Sequence, residues 1–340
     1  MAGNTRQLRI INANAIRRAL KKAPGSTKAE IARASGLSYA TCNTIVNQLA
    51  ATGEVLETPL PTAGSGRPAA QYHYNPHFSY WLCISLSFDN HRPAAQSTVF
   101  NLLGQPVSEA LQKFDALTVK GLTHFIETQI AGHPGISIVA LGIPGVVQNG
   151  KSVAYCDIPA FNNCPLAEQL QKALGLPVFL ENDMNLAVLG FHQSRGLAPA
   201  ASVAGVLFPL GNGPGAGLLA DGRIMRGAGN FAGEIAWLPF MPEEVRRGRP
   251  VAGPALVDTV AKTLVSLIAI VSPHILLLGG GLLQAGMLPA IRQSCRQLLP
   301  AQQLPEIYFE ASFSPHIMLG LLALVREYVE NTVQLIEKPL

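Results

Sequence analysis

Leu8, Ile11, Ile16 and Leu20 recur as one apolar stripe interleaved with Arg9, Arg17, Arg18, Lys21 and Lys22, a spacing that predicts an amphipathic helix ended by Gly25 and Ser26. Ser26 or Thr27 is placed to cap a second helix carrying Ala29, Ile31, Ala32 and Ala34, which Ser35-Gly36-Leu37 closes. Ser38 caps a third, with Ile45, Val46 and Leu49 facing inward until Gly53 stops it. From Thr27 to Leu49 the spacing is that of a helix-turn-helix. Val55 and Leu56 follow as a strand, and PLPTAGSGRPAAQYHYNP (59–76) reads as a hairpin wing followed by a linker. Beyond Tyr80 the texture changes. Apolar runs (WLCISLSF, ISIVALGIPG, PVFLEND, SVAGVLFPLG, HILLLGGG) alternate with helical segments, and glycine turns close several of them, which predicts an α/β sheet covered by helices. No short-period repeat is visible.

Charge divides the chain at the same point. Residues 1–76 hold nine Lys/Arg against three Asp/Glu, a net of +6, whereas 77–340 hold 16 against 18, a net of −2. A basic head on a slightly acidic body suggests a phosphate-facing module joined to one that is not. With 340 residues, 48% hydrophobic and 14% charged, the chain has room for two or three compact units, and its composition indicates a chain that buries a large core instead of a disordered tail. No run approaches ~18 uninterrupted apolar residues and the start MAGNTRQLRI is polar, so the expectation is a cytoplasmic protein with no membrane partner. Five scattered cysteines without a C-x-x-C pair read as buried thiols, not a disulfide frame or a zinc cage.

Three sets of residues carry candidate chemistry. The third helix presents Tyr39, Thr41, Asn43, Thr44, Asn47 and Gln48, amides and hydroxyls suited to base edges, with Asn and Gln able to meet adenine in bidentate fashion. That face has no Lys or Arg, so attraction to phosphate falls to Arg6, Arg9, Arg17, Arg18, Lys28 and Arg33, with Arg67 of GRP reaching for a minor groove or simply lying exposed on a loop. The turns Gly211–Gly217 and Gly279–Gly281 either cradle phosphate or allow close packing. Glu181-Asn182-Asp183 after PVFL, and Glu234 after a glycine turn, suit sugar hydroxyls or a general base at a cleft mouth; Asn182 or Asp183 capping the next helix explains them equally well.

Over nearly the whole chain these pieces resemble the ROK group of bacterial repressors and sugar kinases. STKAEIARASGLSYATCNTIVNQLAATGEV with GSGRP resembles the winged helix-turn-helix of the repressors. LGIPGVV, IPAFNNCPLAEQL, LENDMNLAVLG, GNGPGAGLLADGRIMRGAGNFAGEIAW and SPHILLLGGGL resemble, in order, the kinase-like domain. The resemblance implies an α/β protein: a winged helix-turn-helix (1–58), a wing and linker (59–76), and a two-lobed sugar-kinase-like fold of the actin/hexokinase kind. The first lobe is 77–184 plus 316–340; the second, 185–315, carries the effector pocket and dimerisation surface. It also implies that Asn182, Asp183, Glu234 and Asn163 touch an effector's hydroxyls, with Asp183 at the catalytic-base position.

Three departures from the family pattern accompany that likeness. Where kinases of the group have D-x-G-G-T, this chain reads Ser85-Leu-Ser-Phe-Asp89, whose side chains obstruct a nucleotide phosphate. Trp237 stands at the place of a histidine that touches sugar and ligates zinc, and MPEEVRRGRPVAGPALV replaces the cysteine cluster. The expectation is therefore a transcriptional regulator with no enzyme activity, no cofactor and no metal. It would bind a double-stranded DNA operator as a homodimer or dimer of dimers and answer to a sugar or sugar derivative. The alternatives are a sugar kinase with an appended DNA-binding head, and a DNA-binding dimer that senses nothing.

Overall fold

The computed structural model of the chain describes residues 2–59, 70–89, 92–251 and 253–337. Three helices open it: α1 (Ala2–Lys22), α2 (Lys28–Ser35) and α3 (Tyr39–Ala51). Local capping chemistry fixes the last two. Thr27 and Glu30 form a reciprocal capping box at the start of α2, and Ser38 Oγ accepts the Thr41 amide at the start of α3. Strands β1 (Val55–Pro59) and β2 (Ala70–Tyr74) then pair antiparallel, Val55 opposite Tyr74. Ile16, Leu20, Ile31, Cys42, Ile45, Val46, Leu49, Val55 and Tyr72 make a single small core. One expectation changes here. Leu8 lies outside that core at 53% exposure. Within the expected wing and linker (59–76), residues 70–74 form the second strand of the wing, where Tyr72 exchanges backbone hydrogen bonds with Gly25 and Ser26. The connection to the body is short: Asn75 is tied back to Gly53 and Glu54, and the next strand starts at Tyr80.

The body consists of two five-stranded sheets of the same strand order. The first contains β3 (Tyr80–Asp89), β4 (Arg92–Asn101), β5 (Pro106–Lys113), β6 (Ile136–Ile143) and β9 (Val178–Asn182), in the order β5-β4-β3-β6-β9. Its first strand in the chain lies central, antiparallel to the second and parallel to the fourth. The second sheet repeats this with β10 (Val203–Leu207), β11 (Gly215–Ala220), β12 (Arg223–Ile224), β13 (Ile275–Gly279) and β14 (Glu306–Glu310), in the order β12-β11-β10-β13-β14. A small hairpin, β7 (Gly145–Gln148) with β8 (Ser152–Cys156), rides on the first lobe.

Helices α4 (Val119–Gly132) and α5 (Leu166–Leu174) cover the outer face of the first sheet, with Leu122, Phe125, Ile126 and Leu170 against Leu82, Ile84 and Leu141. On the second sheet, after the single-turn α7 (Glu243–Arg246), that place is taken by α8 (Gly253–Val271) and α9 (Leu288–Leu298). By length and mean hydropathy (1.7) α8 matches a bilayer-crossing helix, but Leu256, Val260, Leu264 and Ile268 are committed to the lobe core.

Between the sheets run α6 (Asp183–Ser194) and α10 (Ser314–Glu337), and they are exchanged: α6 follows the first sheet yet packs mainly on β10 and β11, whereas α10 follows the second and packs on β3 and β6. Their crossing is close because glycine faces backbone on both sides. A Cβ on Gly190 would lie 1.9 Å from the His316 carbonyl oxygen, and one on Gly320 would lie 2.1 Å from that of Leu186. The head rests on this central helix through α1, and Lys21 Nζ donates to the Leu102 carbonyl at 3.4 Å.

Candidate functional site

On the head, α3 turns Cys42, Ile45, Val46 and Leu49 inward, which leaves Tyr39, Thr44, Asn47 and Gln48 exposed and Thr41 and Asn43 half-buried on its outer side. A shallow groove runs beside it, lined by Leu8, Arg9 and Asn12 of α1 and by Ala40, Thr41, Thr44 and Gln48. Lys28, at the first position of α2, reaches under this face. Its Nζ donates to Asn43 Oδ1 at 2.7 Å and to Asn47 Oδ1 at 2.6 Å, and lies 5.1 Å from the centre of the Tyr72 ring. The sequence offered Lys28 only as one more positive charge; its link to both amides crosses two helices.

Arg17 occupies a different place from the phosphate-facing one expected of it. Its Nε and Nη2 donate to the two carboxylate oxygens of Glu54 at 2.5 and 2.8 Å, and Nη1 donates to Asn14 Oδ1 at 2.7 Å. With that fork filled, Arg17 braces α1 against the start of the wing, and its pKa is raised by the Glu54 hydrogen bonds. Arg18 is exposed. Arg67 lies outside the described residues.

In the body, a cleft of about 770 Å³ opens between the lobes. Asp183, Glu234 and Asp157 line it together. Asp183 begins α6, and one of its oxygens accepts the Met184 amide at 2.8 Å. Burial, with Asp157 and Glu234 adding repulsion, pushes its pKa up to about 7. Burial alone pushes Asp157 up to about 6, and burial followed by Asp157 raises Glu234. Asp157 escaped the sequence reading. Its signal was the same as that of Asp183, an acid directly after a strand, here SVAYC.

Two expected effector residues stand differently. Asn182 lines the cleft, but its Oδ1 caps α6 by accepting the Asn185 amide at 2.9 Å, and its Nδ2 donates to the Gly145 carbonyl at 2.9 Å, leaving one amide hydrogen for a ligand. Asn163 is exposed in a left-handed turn (φ 52°) and is not among the cleft-lining residues, so it is not brought to this site.

On the first-lobe side of the cleft, β3 continues through Ser87 and Phe88 and stays paired with β4 to its last residue, and both residues line the cleft. A strand stands where a phosphate loop would bend. The glycines of 211–217 serve packing at Gly217, where a Cβ would lie 2.0 Å from the Met184 carbonyl oxygen, and the Gly279–Gly281 turn lies away from the cleft lining. The segment after Trp237 folds around Arg246: its Nε donates to the Ala236 carbonyl at 3.0 Å and its guanidinium stacks 5.6 Å from the Trp237 ring centre. Among the described residues, no group of three or more His, Cys, Asp or Glu can hold a metal ion.

Tyr155, Phe231 and Trp237 stand exposed around the mouth. Carboxylate acceptors beneath an aromatic rim suit a hydroxyl-rich ring, with its hydroxyls donating inward and its C–H faces against the rings. The lobes are tied beside the cleft by Arg226 to Glu181 and by Asn230 Nδ2 to the Val147 carbonyl.

Residues 15–53 match the winged helix-turn-helix DNA-binding family, and residues 102–250 match the ROK family. A glucokinase of Halalkalibacterium halodurans is 29% identical over 133 residues, 38% of this chain and 40% of that protein. A putative xylose repressor of Caldicellulosiruptor sp. is 24% identical over 243 residues, 68% of this chain and 59% of that protein. The matches thus span between two fifths and three fifths of those relatives' lengths. Among solved structures, a ROK family transcriptional regulator, a homologue of the E. coli MLC protein, shares the fold over 98% of this chain and 100% of its own, with a TM-score of 0.62 and 19% identity.

Proposed function

We propose that this chain, whose residues 15–53 match a winged helix-turn-helix and whose residues 102–250 match the ROK family, is a transcriptional repressor. Its head grips a double-stranded DNA operator, and its two-lobed body pairs with a second copy and senses a sugar or sugar derivative. The observation that carries the reading is the exposed polar face of α3, where Thr44, Asn47 and Gln48 project from a helix otherwise committed to the core. The xylose repressors among its relatives support it. So does the unbroken β3–β4 ladder, which leaves no glycine turn for a nucleotide phosphate.

The body acts without covalent chemistry, cofactor or metal. A ligand held between Asp157, Asp183 and Glu234 binds the closed lobes more tightly than the open ones and so shifts their balance. Because α1 rests on α10, which crosses between the lobes, that shift reaches the head. Two-fold operators follow from two-fold pairing, and the work is cytoplasmic.

Selecting fragments of genomic DNA on the full-length protein at low salt, followed by footprinting, tests the reading: protected two-fold sites are expected, and failure to retain any duplex overturns it. Calorimetry with neutral and amino sugars tests the sensing. A kinase reading draws on Asp183, whose pKa near 7 suits a general base. Hexose- and ATP-dependent turnover that vanishes in Asp183→Asn would favour it.

A further inference from the structure

We infer that Lys28 sets which bases α3 reads, by turning Asn43 and Asn47 into groups that face the DNA as donors. An ammonium has three donors and no acceptor, so both amides must turn their oxygens toward it, as the 2.7 and 2.6 Å contacts to the two Oδ1 atoms show. Each amide then carries its Nδ2 hydrogens on the side away from Lys28. A side-chain amide meets adenine through an oxygen and a nitrogen side by side, one accepting from N6 and one donating to N7. Here each oxygen is turned toward Lys28, with one of its two lone pairs already taken. What remains fits acceptor edges, the O6 and N7 of guanine or the O4 of thymine, and the adenine contact expected from the residue type alone is disfavoured.

Lys28 is itself held in place. Its ammonium sits against the Tyr72 ring of β2, and its carbonyl accepts a hydrogen bond from Cys42 Sγ at 3.4 Å, so the wing, α2 and α3 converge on this residue. Asn47 is exposed and Asn43 half-buried, which makes Asn47 the stronger reader. Lys28 acts through these amides and is a positioning residue for specificity. The inference rests on the DNA-binding reading above.

The experiment is selection from a randomised duplex pool by the full-length protein and by its Lys28→Met, Lys28→Arg and Asn47→Ala forms. Asn47→Ala should flatten the preference at one operator position, which identifies the base that Asn47 reads. At that position the parent should choose guanine or thymine. Lys28→Met, which keeps the chain length and removes the donors, should move the choice toward adenine roughly tenfold, the scale of one good bidentate contact. Lys28→Arg, again donor-only, should keep the parental choice. An adenine preference already present in the parent overturns the inference. So does a uniform loss of affinity in Lys28→Met with the base ranking unchanged, which would make Lys28 a phosphate contact. A parent that selects no sequence at all removes the DNA-binding reading and this inference with it, a result distinct from either of those two.

Discussion

Arg226 reaches across from the second lobe and donates twice to Glu181 Oε2 at the end of β9, through Nη2 at 2.6 Å and Nε at 3.1 Å. Glu181 is buried, and its other oxygen takes the Asn182 amide and Asn185 Nδ2. The pair therefore fixes the lobes beside the cleft while satisfying a carboxylate that water scarcely reaches. Arg226→Ala strands that charge. With the guanidinium itself half-exposed, the loss is about 1–2 kcal/mol, a fall of a few degrees in the melting temperature. Combining it with Glu181→Gln should cost less than the sum of the two changes. Strict additivity in that double-mutant cycle would show that the pair contributes nothing.

The cleft carboxyls make stability depend on pH in a defined direction. Asp183 and Asp157 hold their protons to about pH 7 and about pH 6 in the folded protein, whereas an unfolded chain releases them near pH ~4. Between these limits the folded state binds more protons, so stability falls as pH rises through the window. Asp183→Asn removes the carboxyl that contributes most. The variant should melt above the parent at pH 8, and the gap should close toward pH 4. A difference independent of pH, measured by calorimetric scans across that range, contradicts the buried carboxyl.

Arg17 and Arg18 are neighbours in sequence with opposite consequences. Arg18 is exposed, and on the DNA-binding reading Arg18→Ala should weaken every duplex alike and reduce the salt slope by about one unit while leaving the melting temperature nearly unchanged. Arg17→Ala instead strips Glu54, buried at the base of the wing, of its bidentate partner, a loss of about 1–3 kcal/mol that appears in unfolding before it appears in binding. Anisotropy titrations at two salt concentrations, set beside melting curves, separate the two. Identical profiles for both variants would contradict the assignment.

What could be read from the sequence was what chemistry confines to short range. Thr27, one of two cap candidates, and Ser38 announce their helices within three residues, and the head and its third-helix face followed from them. The alternating apolar runs announced a layered α/β body. The duplicated strand order was hidden, because two sheets can repeat a topology while sharing only a pattern of burial. Pairings over long chain distances were hidden too. Arg17 finds Glu54 37 residues away, so in the sequence it was only another cation of the basic head. Asp157 carried the same mark as Asp183, an acid at a strand end, but only the fold brings the two into one cleft, and Asn163, singled out from the segment that follows Asp157, is held in a turn outside it.

The crossing of α6 and α10 gives the strictest test of the body. Both glycines face backbone, which cannot move aside as a side chain can: besides His316, a Cβ on Gly190 meets the Gly320 nitrogen at 2.7 Å, and one on Gly320 meets the Leu186 Cα at 2.8 Å. Alanine at either position forces the helices apart over their shared core of Leu186, Ile317 and Leu321, at a loss of about 1–3 kcal/mol or more. Because α6 begins at Asp183, that separation also displaces a carboxyl of the cleft, so any ligand bound there should be lost in parallel with stability. Gly190→Ala should lower the urea midpoint without changing the slope of the transition. Gly132→Ala, in α4, where an added Cβ meets nothing within 4 Å, serves as the control and should leave it in place. Equal midpoints for the two variants would show that the helices do not approach as closely as the structure has them.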